Sequence, residues 1–283
     1  MKQSINKTTK TNVTDQDAVL FKVTEQGIAY VTLNKPDKFN AFDEDMIAQL
    51  TSIFTEIADR EDIRIMVLSS TGKHFCAGAD LTWMQRMADY SYQNNLADAN
   101  ALASMLEKLN FLPQTSIVKI QGISFGGAVG LASCCDIVLA TEQTSFCLSE
   151  VKLGLIPATI SPYVLNAIGL KAARRYFQSA ERFSAQKAQQ LGLVDEIVAL
   201  DQLDEVADNM IKQILSNGPE AVRHAKKLAL DLAYQKITPA LSHDTSERIA
   251  QQRVSAEGQE GLKAFFDKRA PNWQPKQSLT TKE

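Results

Sequence analysis

The stretch Ile117-Val118-Lys119-Ile120-Gln121-Gly122-Ile123-Ser124-Phe125-Gly126-Gly127-Ala128-Val129-Gly130 limits the fold more than any other part of the chain. A β-branched run of strand length passes through glycines into small helix-forming residues, which marks a strand–turn–helix junction of an α/β layer. Such a junction suits anions. The first N–H groups of a helix lack intrahelical partners, the helix dipole adds positive character, and glycine lets a ligand approach the backbone.

The flanking segments extend the same pattern. Leu20, Phe21 and Val23, then Ile28, Tyr30, Val31 and Leu33, flank Glu25-Gln26-Gly27 and predict two strands joined by a tight turn. Asp43 is placed to cap a helix whose apolar stripe is Met46, Ile47, Leu50, Ile53, Phe54 and Ile57. Ile63 to Leu68 has the length and continuous apolar character of a strand buried on both faces, which implies a parallel sheet. After the loop Thr71–Asp80 the pattern predicts a helix near Asn94–Leu109, strand Ser116–Gln121, a short helix to Cys134 and strand Asp136–Ala140. From about Pro162 the signals are helical, with Ser184 capping one helix and Gly218-Pro219 separating two more. The expected division is a disordered tail over 1–17, an α/β core over 18–200, a helical region over 201–274 and a loose tail over 275–283.

Composition narrows the partners. With 283 residues the chain can bury a core without staples. Its 30 basic and 33 acidic residues give a net charge of −3, so nucleic acid is not an expected partner and any anion site must be local. The four cysteines, Cys76, Cys134, Cys135 and Cys147, have no C-x-x-C spacing and are expected as reduced, mostly buried thiols. The three histidines and these cysteines lack ligand spacing, so no metal site is expected. No segment has the roughly 18 uninterrupted apolar residues of a membrane span, and Met1 to Asp17 has no apolar signal core. A cytoplasmic enzyme is the expectation.

Three chemistries compete for the glycine junction. A dinucleotide loop needs G-x-G-x-x-G, but Phe125 stands where the first glycine belongs. Gly122-Ile123-Ser124-Phe125-Gly126 matches the G-x-S-x-G elbow of serine hydrolases, with Asp195 or Asp204 and His224 or His243 in suitable chain order. The third uses backbone donors alone and draws on a second glycine loop, His74-Phe75-Cys76-Ala77-Gly78-Ala79-Asp80-Leu81.

Taken with Asn34-Lys35-Pro36-Asp37-Lys38-Phe39-Asn40-Ala41, Cys135-Asp136-Ile137, Ser149-Glu150 and Leu153-Gly154-Leu155-Ile156-Pro157, these loops make Val19 to Trp273 resemble the crotonase superfamily, the enoyl-CoA hydratase/isomerase family. The resemblance implies a crotonase (ClpP-like) α/β spiral of β-β-α units and a helical C-terminal part that assembles trimers or dimers of trimers. It implies an acyl-CoA substrate, no cofactor beyond the coenzyme A of that substrate, and an oxyanion hole formed by the N–H groups of Ala79 and Gly127. Glu150 falls at the family's catalytic glutamate. Substrate contacts are implied at Lys38, Phe39, Ala41, Ala77, Gly78, Asp80 and Leu81, and at Phe125, Gly126 and Pro157.

Typical hydratases carry a second glutamate where this chain has Gly130, so a two-carboxylate hydration does not carry over. Double-bond isomerases, which need only one base, are the alternative. Ser124, Ser149, Ser161 and Tyr163 are candidates for holding water. The segment Glu150–Val164, with Ala172 to Phe177 and Ala180 to Phe183, most resembles bacterial methylglutaconyl-CoA and carboxygeranoyl-CoA hydratases. Lys35, Lys38, Lys73, Lys268 and Arg269 are candidates for the phosphates of coenzyme A, and Arg174 or Arg175 for a distal carboxylate.

Overall fold

A computed structural model describes residues 17–274; all of the expected N-terminal tail except Asp17, and the tail over 275–283, lie outside the described residues. Two compact units are present. Of the described residues, one holds those up to Leu112 together with Ser116–Leu203, and the other holds Pro113–Thr115 and those from Asp204 on.

In the first unit the expected hairpin forms from β1 (Val19–Val23) and β2 (Ile28–Leu33), with Gly27 turning at φ +77°. Helix α1 (Glu44–Asp59) follows, and Asp43 caps it by accepting the Met46 N–H. Strand β3 (Ile65–Ser70) starts two residues later than the apolar run. Ile63 still belongs to the turn after α1, where its N–H donates to the Arg60 carbonyl at 3.4 Å, while the polar end Ser69-Ser70 stays in register with Thr32-Leu33. Pairing with β2 decides the end of the strand, not side-chain polarity.

Two helices come next, α2 (Leu81–Met87) and α3 (Tyr92–Asn110). The sequence predicts only the second. Asp80 is the signal for the first: its carboxylate accepts the Thr82 and Trp83 N–H groups at 2.9 and 3.1 Å. Strand β4 (Thr115–Ile120), the short β5 (Ile123–Phe125) and helix α4 (Gly127–Cys134) then form the expected junction. Next come β6 (Ile137–Thr141), β7 (Ser145–Cys147), α5 (Ser161–Ser179), β8 (Phe183–Ser184), α6 (Ala185–Leu191) and β9 (Glu196–Val198).

Each turn of this spiral feeds two layers. The large sheet has the order β1-β2-β3-β4-β6-β9, and the small sheet β5-β7-β8. Bridges Phe42↔Ala79 and Cys76↔Ser124 extend the small layer into earlier turns. Successive turns therefore stack the Ala79 loop, the Gly126-Gly127 turn and the residues after β7 beside one another. Fully buried Phe54, Phe75 and Phe146 belong to the core that fixes this stack.

The second unit contains α7 (Leu203–Leu215) from its second residue on, with α8 (Pro219–Leu232), α9 (Pro239–Val254) and α10 (Ala256–Phe266). Gly218-Pro219 separates the first two as predicted. Glu257 accepts the Glu220 and Ala221 N–H groups at 2.9 and 2.7 Å, where a carboxylate favours a helix start. The Trp273 indole N–H donates to the Ser216 carbonyl at 3.2 Å. Among the described residues no helix is long and apolar enough to cross a membrane.

Candidate active site

The first wall of the site is the Ala79 loop. Its backbone is fixed on both sides: the Cys76 N–H donates to Ile123 and the Phe125 N–H to Cys76, at 3.2 and 3.1 Å. Phe42 ladders on the other side, donating to the Gly78 carbonyl and accepting from Asp80, both at 2.7 Å. This ladder leaves the intervening Ala79 N–H without a hydrogen-bond partner among the described residues. Gly78 is required here, because its φ is +99° and an added Cβ would stand 3.4 Å from the Phe125 carbonyl oxygen.

The second wall is the start of α4. Gly126 turns with φ +55° and ψ −121°, and its N–H donates to the Cys147 carbonyl at 2.9 Å. Gly127 is the first helical residue, and its N–H also has no partner among the described residues. Phe42 touches both walls, for its backbone pairs with Ala79 and its ring lies 3.2 Å from where a Gly127 Cβ would stand. Phe42 is a site residue that the sequence analysis does not single out. An unpartnered amide at a helix start beside a second such amide is a receptor for negative charge.

Glu150 brings a carboxyl to these walls. It opens a 3-10 turn, Glu150–Leu153, separated from the end of β7 by two residues, and Gly154 closes that turn at φ +73°. Oε1 lies 3.3 Å from the position a Gly126 Cβ would take, so a side chain at 126 would displace the carboxyl. Oε2 is buried and without a hydrogen-bond partner. Burial pushes the carboxyl above the usual carboxylate range, partly opposed by its own backbone N–H. A carboxyl kept partly dry can both accept and return a proton near neutral pH.

The structure brings most of the predicted contacts to these walls. Lys38 pairs with Asp80 at 2.9 Å, and the Ala77 N–H donates to the Phe39 carbonyl at 3.0 Å. Phe39 and Asn40 hold left-handed backbones at φ 52° and 53°. Asn40, fully buried, sustains them: its side-chain amide donates to the Thr71 and His74 carbonyls at 2.8 and 2.9 Å, and its oxygen accepts the Lys35 N–H. Ala41 is buried, and Leu81 is exposed at the start of α2. Pro157 is buried in the turn between Glu150 and α5.

Other candidates are already engaged. Lys35 pairs with Asp43, and Arg175 with Glu181 through bonds of 2.6 and 2.9 Å. Arg269 binds Glu260 in the second unit at 2.6 and 2.8 Å. The Ser161 hydroxyl donates to the Ala158 carbonyl at 2.8 Å. The serine-elbow expectation fails on burial. Ser124 is fully buried, and its Oγ has no hydrogen-bond partner, whereas an elbow serine presents its oxygen at the surface. His224 and His243 are exposed and engage Gln252 and Glu247. Among the described residues no cluster of metal-ligating side chains occurs, and the four cysteines are free thiols.

The place where a second glutamate would stand is filled. A Cβ at Gly130 would lie 2.9 Å from the Ile160 Cβ and closer still to its Cγ2. Gly130→Ala is therefore expected to destabilise: overpacking of about 1–3 kcal/mol exceeds the gain of up to about 1 kcal/mol that alanine brings to a helix interior. A lower urea midpoint at unchanged slope is the predicted measurement.

Comparison with known proteins agrees with this geometry. The family described as Enoyl-CoA hydratase/isomerase matches residues 23–276. An enoyl-CoA hydratase from Shewanella pealeana has a crystal structure similar at TM-score 0.87 and 47% identity, covering 91% of this chain and 96% of that one. The enoyl-CoA hydratase of Bacillus anthracis is similar at TM-score 0.80 and 30% identity, over 90% and 98% of the two chains. Enoyl-CoA hydratase AKT6-1 of Alternaria alternata is 33% identical over 211 residues, 74% of this chain and 68% of its own. With its spiral of strand pairs, its two glycine walls and this match over nearly all the described residues, the chain belongs to the enoyl-CoA hydratase/isomerase family.

Proposed function

We propose that the protein adds water to a 2-enoyl-CoA through a thioester enolate whose charge is received by the Ala79 and Gly127 N–H groups, with Glu150 as acid and base. The carrying observation is the half-buried Glu150 carboxyl, one oxygen buried and unpartnered and the other packed on Gly126, next to a helix-start amide that is itself unpartnered. The chemistry asks for no cofactor beyond the coenzyme A brought by the substrate.

A branched acyl group, bearing a second carboxylate as in 3-methylglutaconyl-CoA, is the proposed substrate. Exposed Leu81, Leu153, Leu155 and Ile156, on the segments that carry Ala79 and Glu150, support an apolar acyl contact. The Arg182 guanidinium lies 5.0 Å from the centre of the Phe125 ring, beside the glycine turn, and supports recognition of the distal carboxylate. It takes the role that the sequence offered to Arg174 or Arg175. Exposed Val254, Phe265 and Phe266 in the second unit support assembly of copies into a trimer or a dimer of trimers, which light scattering on the purified chain would measure.

Incubation with 3-methylglutaconyl-CoA in heavy-oxygen water tests the reaction: one labelled oxygen per product is expected. Double-bond isomerisation is the second reading, favoured by the loss of an acid at Gly130. A 3-enoyl-CoA converted without label would establish it. Ser124→Ala is expected to keep full turnover and unchanged or slightly higher stability, because it deletes a buried hydroxyl that has no partner. Lost activity in a folded Ser124→Ala variant would restore the hydrolase reading.

A further inference from the structure

Gly126 is the N-cap of α4 and Gly130 its fourth residue, so the groups packed on these two glycines both lie at the first turn of that helix. At Gly126 the occupant is the Glu150 carboxyl. At Gly130 it is Ile160, only 2% exposed, with Leu106 of α3 reaching the same place at 3.5 Å. The first turn of α4 thus meets the carboxyl at its N-cap and an apolar plug at its fourth residue.

We propose that Ile160 is a positioning residue that makes Glu150 the only proton carrier of this site. Its side chain occupies the ground beside the carboxyl where a second acid would have to stand, and it keeps water from that flank. The inference rests on the role given to Glu150 above. One carboxylate is enough to balance the reaction. Glu150 takes a proton from the attacking water as the water oxygen bonds to the β-carbon, and the double-bond pair moves to the α-carbon and thioester oxygen. The protonated carboxyl then gives that hydrogen to the α-carbon as the thioester carbonyl re-forms, so H and OH enter on one face.

Among the described residues, ionisable groups lie on the elements that flank Glu150 and Ile160. On the β7 side, Cys147 feels Lys152, Arg182 and Glu150, and its thiol is pushed up chiefly by burial. On the α5 side, Tyr163 is pushed up by burial and by Cys134 and Glu107. Each of these stays in place when Ile160 alone is changed.

The test compares wild type with Ile160→Val, Ile160→Thr and Ile160→Ala, reading the Glu150 midpoint by carboxyl NMR and the acid limb of kcat/KM for 3-methylglutaconyl-CoA. Valine should titrate as wild type. Threonine, of valine's size but with a hydroxyl beside the carboxyl, should lower the midpoint by about half a pH unit or more, and alanine should lower it by admitting water. The acid limb should move by the same amount. Separately, Gly130→Glu alone should fail to fold, whereas Gly130→Glu with Ile160→Gly should fold and show a second titrating carboxyl. Unmoved midpoints in folded threonine and alanine variants, or a Gly130→Glu variant as stable as wild type, would overturn the proposal. Should the wild type turn over no enoyl-CoA, the functional reading falls, while the NMR midpoints still decide the part played by Ile160.

Discussion

Glu150→Gln is expected to lower kcat/KM by about a hundred- to ten-thousandfold, the range that a positioned acid or base supplies, and at the same time to make the fold more stable at neutral pH. The two effects share one cause. Burial raises the carboxyl above its ordinary range in the folded state and leaves Oε2 with no partner. Below the ordinary carboxylate range both folded and unfolded chains hold the proton, and Glu150 costs nothing. As pH rises through the window between the ordinary and the raised value, the unfolded chain releases its proton first and stability falls. Above that window the loss is constant. Glutamine has no such ionisation, so its advantage should appear across the same window and persist at pH 7. Urea midpoints of both proteins between pH 4 and 8 provide the measurement. A variant that is inactive but no more stable at pH 7 would mean that water reaches Glu150 freely.

Much of this arrangement is legible in the sequence because it is local. The Asp43, Ser184 and Gly218-Pro219 boundaries hold, since each is decided by a cap or a fixed dihedral within four residues. The glycines at 78, 126 and 127 can be read as close-approach positions for the same reason. What the sequence does not disclose depends on neighbours distant in the chain. Ser69 and Ser70 lie beyond the apolar run yet remain strand, because β2 supplies their register. Phe42 gives no sign of its place between Ala79 and Gly127, and Ile160 gives none of its fit to Gly130, thirty residues before it. Ser124 shows the opposite case. Its five-residue pattern is intact, but the bridge to Cys76 carries its side chain into the core.

Substitution at Gly127 separates the backbone donor from everything else the residue does. Gly127→Ala keeps the N–H and adds a Cβ 3.2 Å from the Phe42 ring, so it measures the steric part alone. Gly127→Pro adds the same Cβ, closes a ring through Cδ onto the amide nitrogen, and removes the donor. Proline is suited to this position, because Gly127 is the first helical residue and its N–H has no partner to lose. The proline variant should therefore fold, with far-UV dichroism and unfolding midpoint close to those of the alanine variant. Its kcat should fall about a hundred- to a thousandfold below that of Gly127→Ala, the usual loss for one donor of an oxyanion hole. KM should change less, since the enolate presents full charge to the amide only as the reaction proceeds. Equal turnover in the two variants would show that the thioester oxygen is held elsewhere, and the assignment of Ala79 and Gly127 as a pair would fall with it.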